Sequence, residues 1–456
     1  MKRTSILISF FFLAACSKSV DTLSTLTPQA SNPVVTTQTQ TTGQYTATSI
    51  TISGFSLPNL TPGQIQIAID GAVSGTVPYI KDGQENLIVA GTLFFNDPLI
   101  PAIHLVKSGG SWQYEASYPE GTMGVARNYE CMDTSNGTWA FSDQGLEPKS
   151  GSMPFGDIMV AKSSGSKLSW TKISNTKSFY HSISTGDLDG NGYKDIIGLH
   201  MGTKGTWYDP LHPYMQLSDG TFTENRDLFS ATYTKWQSGK GAGAVLVKDV
   251  TGDGRPEIIR ADYGFNPQFQ KASDRYSIAV LGWDATQKKY DLVSTSGAIG
   301  EFANPDRGAT SIKSADFNRD GNQDLAIATE GNNFNGIEIW LGDGKGNFAP
   351  GQTLEYTFGQ LHFREFLVSD IDADGYPDVL LNPFGGSLFK TTEGVSASNL
   401  IWKNSGGTFG AYNKRIVIPG INPTFMKAAF LNGKVRFIGL HGNQDGSIGI
   451  DDVQID

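Results

Sequence analysis

The nine residues "DLDGNGYKD" at positions 187–195 recur as "DVTGDGRPE" (249–257), "DFNRDGNQD" (316–324) and "DIDADGYPD" (370–378). In every copy the first, third and fifth residues carry a side-chain oxygen, the sixth is glycine and the ninth is Asp or Glu. The second residue is apolar, and a short apolar run follows the ninth. Carboxylates crowded this closely repel one another unless protons or a cation neutralise them. These four segments, loops one to four, therefore indicate a periodic fold and a bound cation.

The sixth-position glycine also marks three weaker copies of the same turn-then-strand pattern, at Gly83, Gly137 and Gly433. Successive marker glycines are separated by 54 to 67 residues. A second marker is an aromatic residue that closes a glycine-bearing or polar turn downstream of each loop. It recurs in the first six units at Trp112, Trp170, Phe222, Tyr290, Phe348 and Phe409. Two independent markers thus predict seven repeats.

The length of a repeat decides the fold class. Each repeat is shorter than the roughly 100 residues of a β-sandwich module, but it is long enough for four short strands. Radial closure of such small sheets leaves few exposed strand edges. We therefore predict an all-β fold, a seven-bladed β-propeller of four-stranded blades over residues 48–456. A strand at 49–53 or 65–69 is expected to fill the outer edge of the last blade.

The composition agrees with an all-β chain that is rich in turns. Glycine is frequent (54 of 456 residues), and long apolar patterns of helical period are absent. The formal net charge of −10 argues against a nucleic-acid-binding protein, because no basic stripe is available to neutralise phosphates. The two cysteines offer no disulfide framework.

The N-terminal stretch "MKRTSILISFFFLAAC" joins a basic start to an apolar run too short to span a bilayer, which is typical of an export signal. Its end, Leu13-Ala14-Ala15-Cys16, resembles the bacterial lipobox. This resemblance implies a signal peptide at residues 1–15, a lipid anchor on Cys16 and, because Ser17 follows, an outer-membrane lipoprotein. The alternative is an ordinary signal peptide with a chance cysteine. Residues 16–47, rich in Ser, Thr and Gln, are predicted to form a disordered stalk.

Residues 70–456 resemble the FG-GAP and VCBS repeat families, which build propellers such as that of the integrin α-chain. The resemblance is carried by the four acidic loops and by the turns similar to "DGTF". Three units depart from the pattern, because their ninth positions are Asn86, Ala140 and Arg436. No calcium site is assigned to these units. In the last of them, Arg436 is expected to place a guanidinium where other units hold a metal.

Calcium is the ion that the loop chemistry favours. Side-chain oxygens at positions one, three and five, a backbone carbonyl at seven and a carboxylate at nine supply the hard ligands that Ca²⁺ prefers. An EF-hand is excluded, because position twelve is not Glu and strand patterns flank the loops. Mg²⁺ is disfavoured by its demand for tight octahedral geometry. The open alternative is four acidic turns that bind nothing. The predicted ligands of about four structural ions are Asp187, Asp189, Asn191, Tyr193 and Asp195; Asp249, Thr251, Asp253, Arg255 and Glu257; Asp316, Asn318, Asp320, Asn322 and Asp324; and Asp370, Asp372, Asp374, Tyr376 and Asp378.

The connections after the second strand of each blade are expected to open on the opposite face, and they are long and aromatic-rich. Aromatic residues among polar ones suit a sugar ring or a protein ligand, and loops on a rigid scaffold commonly carry function. The alternative is that these aromatics fill the interfaces between blades. The candidate ligand-binding residues are Trp207, Tyr208, Tyr263, Phe265, His181, His200, Arg364 and His441.

Two classes of function remain open from the sequence, with a third beside them. The first is a calcium-stabilised binding or adhesion module for a glycan or protein ligand. The second is a polysaccharide-active enzyme, because rhamnogalacturonan lyases resemble this architecture. The third is a scaffold for an envelope assembly. No catalytic residue is assigned, since no Ser/His/Asp order, zinc-type histidine pair or phosphate loop stands out.

Overall fold

The computed structural model describes residues 33–41, 45–53, 73–92, 101–124, 126–133, 136–143, 156–164, 167–200, 211–237, 242–262, 277–293, 299–301, 307–331, 334–355, 365–382, 390–391, 394–396, 401–411, 417–418, 426–442 and 447–455. They form a seven-bladed β-propeller of antiparallel sheets, which confirms the predicted fold class. No helix within these ranges is long and apolar enough to cross a membrane.

The first four blades are assembled from consecutive strands, after two N-terminal strands that belong to the last blade. The N-terminal strands are β1 (Val34–Thr41) and β2 (Tyr45–Ser53). Blade one contains β3 (Val73–Lys81), β4 (Gln84–Thr92), β5 (Ala102–Ser108) and β6 (Ser111–Tyr118). Blade two contains β7 (Ala126–Asp133), β8 (Thr138–Asp143), β9 (Ile158–Ser164) and β10 (Lys167–Lys172). Blade three contains β11 (Tyr180–Gly186), β12 (Asp195–His200), β13 (Leu211–Gln216) and β14 (Phe222–Glu224). Blade four contains β15 (Ala242–Lys248), β16 (Glu257–Asp262), β17 (Ser277–Asp284) and β18 (Lys289–Leu292), with β19 (Ile299–Glu301) paired to β17.

The remaining strands build blades five to seven and a small accessory sheet. Blade five contains β20 (Arg307–Ala315), β21 (Asp324–Gly331), β22 (Phe334–Gly342) and β23 (Phe348–Glu355). Blade six contains β24 (Glu365–Ser369), β25 (Asp378–Asn382), β28 (Ile401–Ser405) and β29 (Thr408–Ala411), and the accessory sheet contains β26 (Lys390–Thr391), β27 (Gly394–Ser396) and β30 (Val417–Ile418). Blade seven contains β31 (Met426–Leu431), β32 (Lys434–Gly442) and β33 (Ile448–Ile455). The described helices are α1 (Ala231–Gln237) and the 3-10 turns Pro119–Gly121 and Arg226–Leu228.

The ring closes as predicted, through a strand from the N-terminal part of the chain. Strand β2 pairs with β33 from Tyr45 opposite Ile455 to Ile52 opposite Ile448. This confirms the segment 49–53 as the closing strand, whereas 65–69 lies outside the described residues. Strand β1 then adds a fifth strand to blade seven, so the outer edge is formed by β1 and not, as predicted, by the segment 49–53.

The predicted stalk boundary at residue 47 is wrong, because residues 34–41 and 45–47 are part of this sheet. Strand β1 has the sequence "VVTTQTQT", and it pairs with β2 along its whole length. Threonine is β-branched and is enriched in strands, so a polar Thr-rich segment is well suited to the solvent-exposed edge of a sheet. The composition of the segment is therefore compatible with an edge strand as well as with a linker.

The first strand of every blade lines the central axis. These strands contact one another in cyclic order: β3, β7, β11, β15, β20, β24, β31 and again β3. Lys313 of blade five and Glu130 of blade two lie on opposite sides of this ring, and their Nζ and Oε1 atoms are 3.0 Å apart. Both residues lie near the C-terminal ends of their strands, β7 and β20. These ends lead into the turns that connect the first and second strands of each blade. An ion pair therefore bridges the channel near that end.

The hydrophobic core lies between neighbouring blades. Six buried clusters together cover all seven interfaces of the ring, one of them serving both sides of blade six. The packing of the marker aromatics shows why they recur in the sequence. Trp112 packs in the cluster shared with blade seven, Tyr290 in that shared with blade three and Phe409 in that shared with blade five. Each marker aromatic thus fills the interface with the preceding blade, which gives every repeat the same packing requirement.

Candidate metal sites and the opposite rim

All four acidic loops connect the first and second strands of their blades, so they lie at one end of the propeller. The marker glycines of all seven units adopt positive φ values between 64° and 90°, a region that costs little only for glycine. The seven are Gly83, Gly137, Gly192, Gly254, Gly321, Gly375 and Gly433. The recurrence of glycine therefore reflects the backbone conformation of the turn.

Replacing Gly192 by alanine is expected to lower the free energy of unfolding by about 1–2 kcal/mol, through backbone strain alone. A Cβ at Gly192 would meet no atom within 4 Å, and one at Gly375 would meet the end of the flexible Arg319 side chain, which can move aside. Both glycines have a φ near 88°, so the loss should be similar for Gly375→Ala. Urea denaturation measures both. Gly410→Ala is the control, because that strand glycine has open space and no positive φ. Equal stabilities of all three variants would contradict this account.

The first aspartate of each loop organises the turn by accepting backbone N–H groups. Oδ1 of Asp187 accepts from the N–H of Gly190 at 2.8 Å and of Asn191 at 3.0 Å, and its Oδ2 accepts from Gly192 at 2.8 Å. The first aspartates of the other three loops accept from the sixth-position glycine in the same way. An ionised carboxylate has about four lone-pair positions, so these bonds leave capacity for a cation.

The ninth carboxylate is buried and holds the loop against its own blade. In loop one, Oδ2 of Asp195 accepts from the N–H of Leu188 and Oδ1 from that of Gln216 in the third strand, both at 2.8 Å. Asp324 and Asp378 make the equivalent pairs of bonds in loops three and four. In loop two, Glu257 accepts from Val250 N–H and Thr251 Oγ1. The conserved acidity at position nine within the repeats thus has a structural role of its own.

The same burial makes these carboxylates difficult to ionise. Desolvation raises the pKa of Asp195 to about 7 and that of Asp378 to about 6, and the other acidic groups of each loop act in the same direction. The pKa values of Glu257 and Asp324 are raised for the same reason. Backbone N–H donors oppose this effect without cancelling it. A cation close to these groups would stabilise their charged forms.

Two loops gather three carboxylates tightly enough for a metal ion. In loop one these are Asp187, Asp189 and Asp195, and one oxygen from each lies within 4.8 Å of the others. In loop four the group is Asp370, Asp372 and Asp374, from the first, third and fifth positions, whereas loop one uses the first, third and ninth. Within the described ranges, loops two and three hold no such group of three. They have Thr251 and Asn318 at the third position, which offer a neutral oxygen in place of a carboxylate. The donor set of loops one and four fits a hard divalent cation best.

Blades one, two and seven have no carboxylate at the ninth position of their turns, and each has a different residue there. Asn86 of blade one contacts Nε2 of His104 at 3.0 Å, within the blade. Ala140 of blade two is buried and apolar. Arg436 of blade seven is buried and donates from Nε to Oδ1 of Asp452 at 2.9 Å and from Nη1 to Oε2 of Glu85 in blade one at 2.8 Å. A guanidinium therefore neutralises acidic groups at the seam where the ring closes.

The structure places three of the candidate ligand residues at the rim opposite the acidic loops. His181 lies near the start of β11, His200 at the end of β12 and His441 near the end of β32. His181 is buried, and its Nδ1 is 3.3 Å from the carbonyl oxygen of Gly243, so it packs between blades three and four. The other candidates, Trp207, Tyr208, Tyr263, Phe265 and Arg364, lie outside the described residues, as does Cys16.

A polar group that the sequence did not single out surrounds His200. This blade-three cluster consists of His200, His212, Glu224 and Arg226. The two imidazole rings have centroids 5.7 Å apart, and Arg226 Nη2 lies 3.2 Å from His212 Nε2. Glu224 pairs with the Arg226 guanidinium and lies 3.5 Å from His212 Nδ1. His200 and His212 flank residues 201–210, an aromatic-rich connection. The position of two histidines on either side of such a connection is the sequence signal from which the cluster could have been predicted. Such a cluster can bind an anionic group or transfer a proton.

Comparisons with known proteins identify the repeat. Residues 316–381 match the model of the FG-GAP-like repeat family. This stretch contains loops three and four, so the predicted repeat type is confirmed there. No curated protein matches the sequence. Among solved structures, the chain is similar to the periplasmic gluconolactonase PpgL of Pseudomonas aeruginosa, with 12% identity, a TM-score of 0.48, and coverage of 80% of this chain and 94% of that one. It is also similar to an exo-β-1,3-galactanase from Phanerochaete chrysosporium bound to β-1,3-galactotriose, with 11% identity, a TM-score of 0.34 and 59% coverage of each chain. Both likenesses are too distant to inform the activity of this chain.

Proposed function

We propose that this chain is a calcium-stabilised binding module, held at a bacterial outer membrane by a lipid on Cys16, that recognises a glycan or protein ligand on the rim opposite its acidic loops. The observation that carries the proposal is the separation of two chemistries onto two ends of one rigid ring. Carboxylate-rich turns of constant geometry lie at one end. A group with histidine and arginine side chains lies at the other.

The acidic end supports a structural role for the metal. The first and ninth carboxylates of loop one are already tied to backbone N–H groups of the turn and of the third strand. A Ca²⁺ ion on Asp187, Asp189 and Asp195 would add charge neutralisation to a preformed turn. Because such an ion binds the folded state and not the unfolded chain, it raises the free energy of unfolding. Reaction chemistry at the loops is not required by this role.

The opposite rim supports recognition. The blade-three cluster carries one arginine and two histidines beside the connection that contains Trp207 and Tyr208. Arginine and imidazole N–H donors suit a carboxylate or a ring hydroxyl, and aromatic faces suit the apolar side of a sugar. A glycan with acidic units would use both kinds of group. The Ser- and Thr-rich residues before β1 would serve as the tether to the membrane.

Binding of the soluble domain, residues 33–456, to a glycan array in calcium is the experiment that tests this function. We expect retention of a restricted set of glycans, at least a tenfold loss of affinity for Trp207→Ala and Tyr263→Ala, and no cleavage of the bound glycan. Exposed Lys172→Ala on blade two is the matched control and should bind as wild type. Absence of binding to glycans and to envelope proteins would refute the proposal. Turnover of a polysaccharide that is lost in His200→Ala would establish the enzyme instead.

A further inference from the structure

Loop four differs from the other acidic loops because a lysine side chain lies against its carboxylates. The Nζ atom of Lys403, in the third strand of blade six, forms an ion pair with Asp372 and lies 3.4 Å from Oδ2 of Asp374. These are two of the three carboxylates that come together in this loop. An ammonium group supplied by the chain therefore occupies the surroundings in which a metal would be bound.

The strand register shows that this lysine is particular to loop four. Trp402 pairs with Val379, the residue after the ninth carboxylate, and Lys403 follows Trp402. The equivalent pairs are Tyr214 with Ile196, Leu281 with Ile258 and Trp340 with Leu325. The residues that follow in blades three, four and five are Met215, Gly282 and Leu341. None of these carries a charge, so loops one to three have no counterpart of Lys403.

A second cation is directed toward the same loop from the preceding blade. The guanidinium of Arg319 lies 4.5 Å from the ring of Tyr376, the seventh residue of loop four. Arg319 belongs to loop three, where it adopts a φ of 60°. Loop four is the acidic loop with the largest number of carboxylates, four in nine residues. The guanidinium of Arg255 in loop two also reaches loop one, but it donates to the Leu188 carbonyl oxygen, whereas Lys403 pairs with the carboxylates of loop four themselves.

We propose that Lys403 is a built-in counter-cation of loop four, which neutralises the loop at low calcium and competes with calcium for it. This inference rests on the proposed calcium binding and concerns the regulation of that site. When calcium is scarce, the ammonium holds Asp372 and Asp374 together and the loop keeps its shape. When calcium binds, the ammonium moves away from the carboxylates. Loop four consequently fills at a higher calcium concentration than an equally acidic loop without the lysine.

The exchange of one residue between blades tests the proposal. Lys403→Met gives loop four the residue type that loop one has at Met215, and Leu341→Lys gives loop three a lysine on an exposed side chain. Titration of the folded chain with calcium, followed by isothermal calorimetry at fixed ionic strength, measures each class of sites. We expect Lys403→Met to raise the calcium affinity of one class of sites about tenfold. Leu341→Lys should lower the calcium affinity of another class by a similar factor, because each substitution changes one unit charge near the ion.

Two further variants assign the effect. Asp370→Ala combined with Lys403→Met should abolish the tightened class, which places it in loop four. Lys172→Met changes the net charge equally but lies on blade two, and it should leave every class unchanged. In EDTA, hydrogen exchange at residues 370–378 should be faster in Lys403→Met than in wild type, because the loop has lost its counter-cation.

The outcomes separate this inference from the function on which it rests. If wild type binds calcium and Lys403→Met alters neither the affinity of any site nor the exchange of residues 370–378, the counter-cation role is wrong. If wild type binds no calcium at all, the proposed metal sites themselves are refuted. Faster hydrogen exchange of Lys403→Met in EDTA, together with a higher calcium affinity of one class of sites, supports both the calcium sites and the counter-cation role of Lys403.

Discussion

Removal of divalent metal is expected to lower the melting temperature of the protein by about 10 °C or more. An ion present at 100 times its Kd contributes about 2.7 kcal/mol to the free energy of unfolding, and four loops offer up to four such contributions. The physical reason is that the carboxylates of loops one and four come together only in the folded chain, so the unfolded chain has no comparable site. Calorimetry in calcium and in excess EDTA measures the difference.

Measurement of the calcium content of variants shows which loops bind calcium. Asp187→Ala and Asp370→Ala should each remove about one calcium ion per chain from the purified protein. Asp284→Ala is the matched control, since Asp284 organises an exposed turn between β17 and β18 through N–H groups of Thr286 and Gln287 and belongs to no acidic loop. It should leave the calcium content unchanged. A purified protein that contains no calcium and melts identically in EDTA would mean that the four loops are acidic turns that bind nothing.

Replacement of Arg436 by alanine is expected to lower the free energy of unfolding by about 3–5 kcal/mol, because it leaves the buried Asp452 carboxylate without its partner. The guanidinium is 3% exposed and joins Asp452 of blade seven to Glu85 of blade one, residues from opposite ends of the chain. It therefore stabilises the seam at which the ring closes. Urea denaturation followed by intrinsic fluorescence measures the loss.

Two controls distinguish the buried pair from a general effect of charge. Lys107 also contacts Glu85, at 3.0 Å, but is partly exposed, so Lys107→Ala should cost no more than about 1 kcal/mol. The double variant Arg436→Met with Asp452→Leu removes both buried charges and should recover much of the stability lost in Arg436→Ala. A loss of less than 1 kcal/mol in Arg436→Ala would show that the seam depends on apolar packing alone.

Much of the fold was accessible from the sequence because each repeat carries local constraints. A glycine at positive φ is required at each turn, so Gly83 and Gly433 could be recognised even where the acidic residues are absent. An aromatic residue fills each interface between blades, so its spacing reports the number of blades. The edge strand β1 was missed, since its Thr-rich composition fits a linker and a strand equally and only pairing with β2 decides between them.

The candidate sites divide in the same way. Each acidic loop is contiguous in the sequence, so residue type and spacing were enough to predict its candidate ligands. His200 was a candidate, but its grouping with His212, Glu224 and Arg226 was not predicted, and neither were Lys403 and Arg319, because these groupings depend on contacts with another strand or another blade. No local pattern marks Lys403 or Arg319.

Residue type and spacing along the chain were enough to predict the all-β class, the seven units and the positions of the acidic loops, and they reduced the closing strand to two candidates. The charges that neutralise one another became apparent only in the folded ring: Lys403 with loop four, Arg436 with Asp452 and Glu85, and Lys313 with Glu130 across the axis. The physical reason is that turns and strand patterns depend on neighbours along the chain, whereas electrostatic partners are chosen by distance in space. In a closed ring, that distance brings together residues hundreds of positions apart.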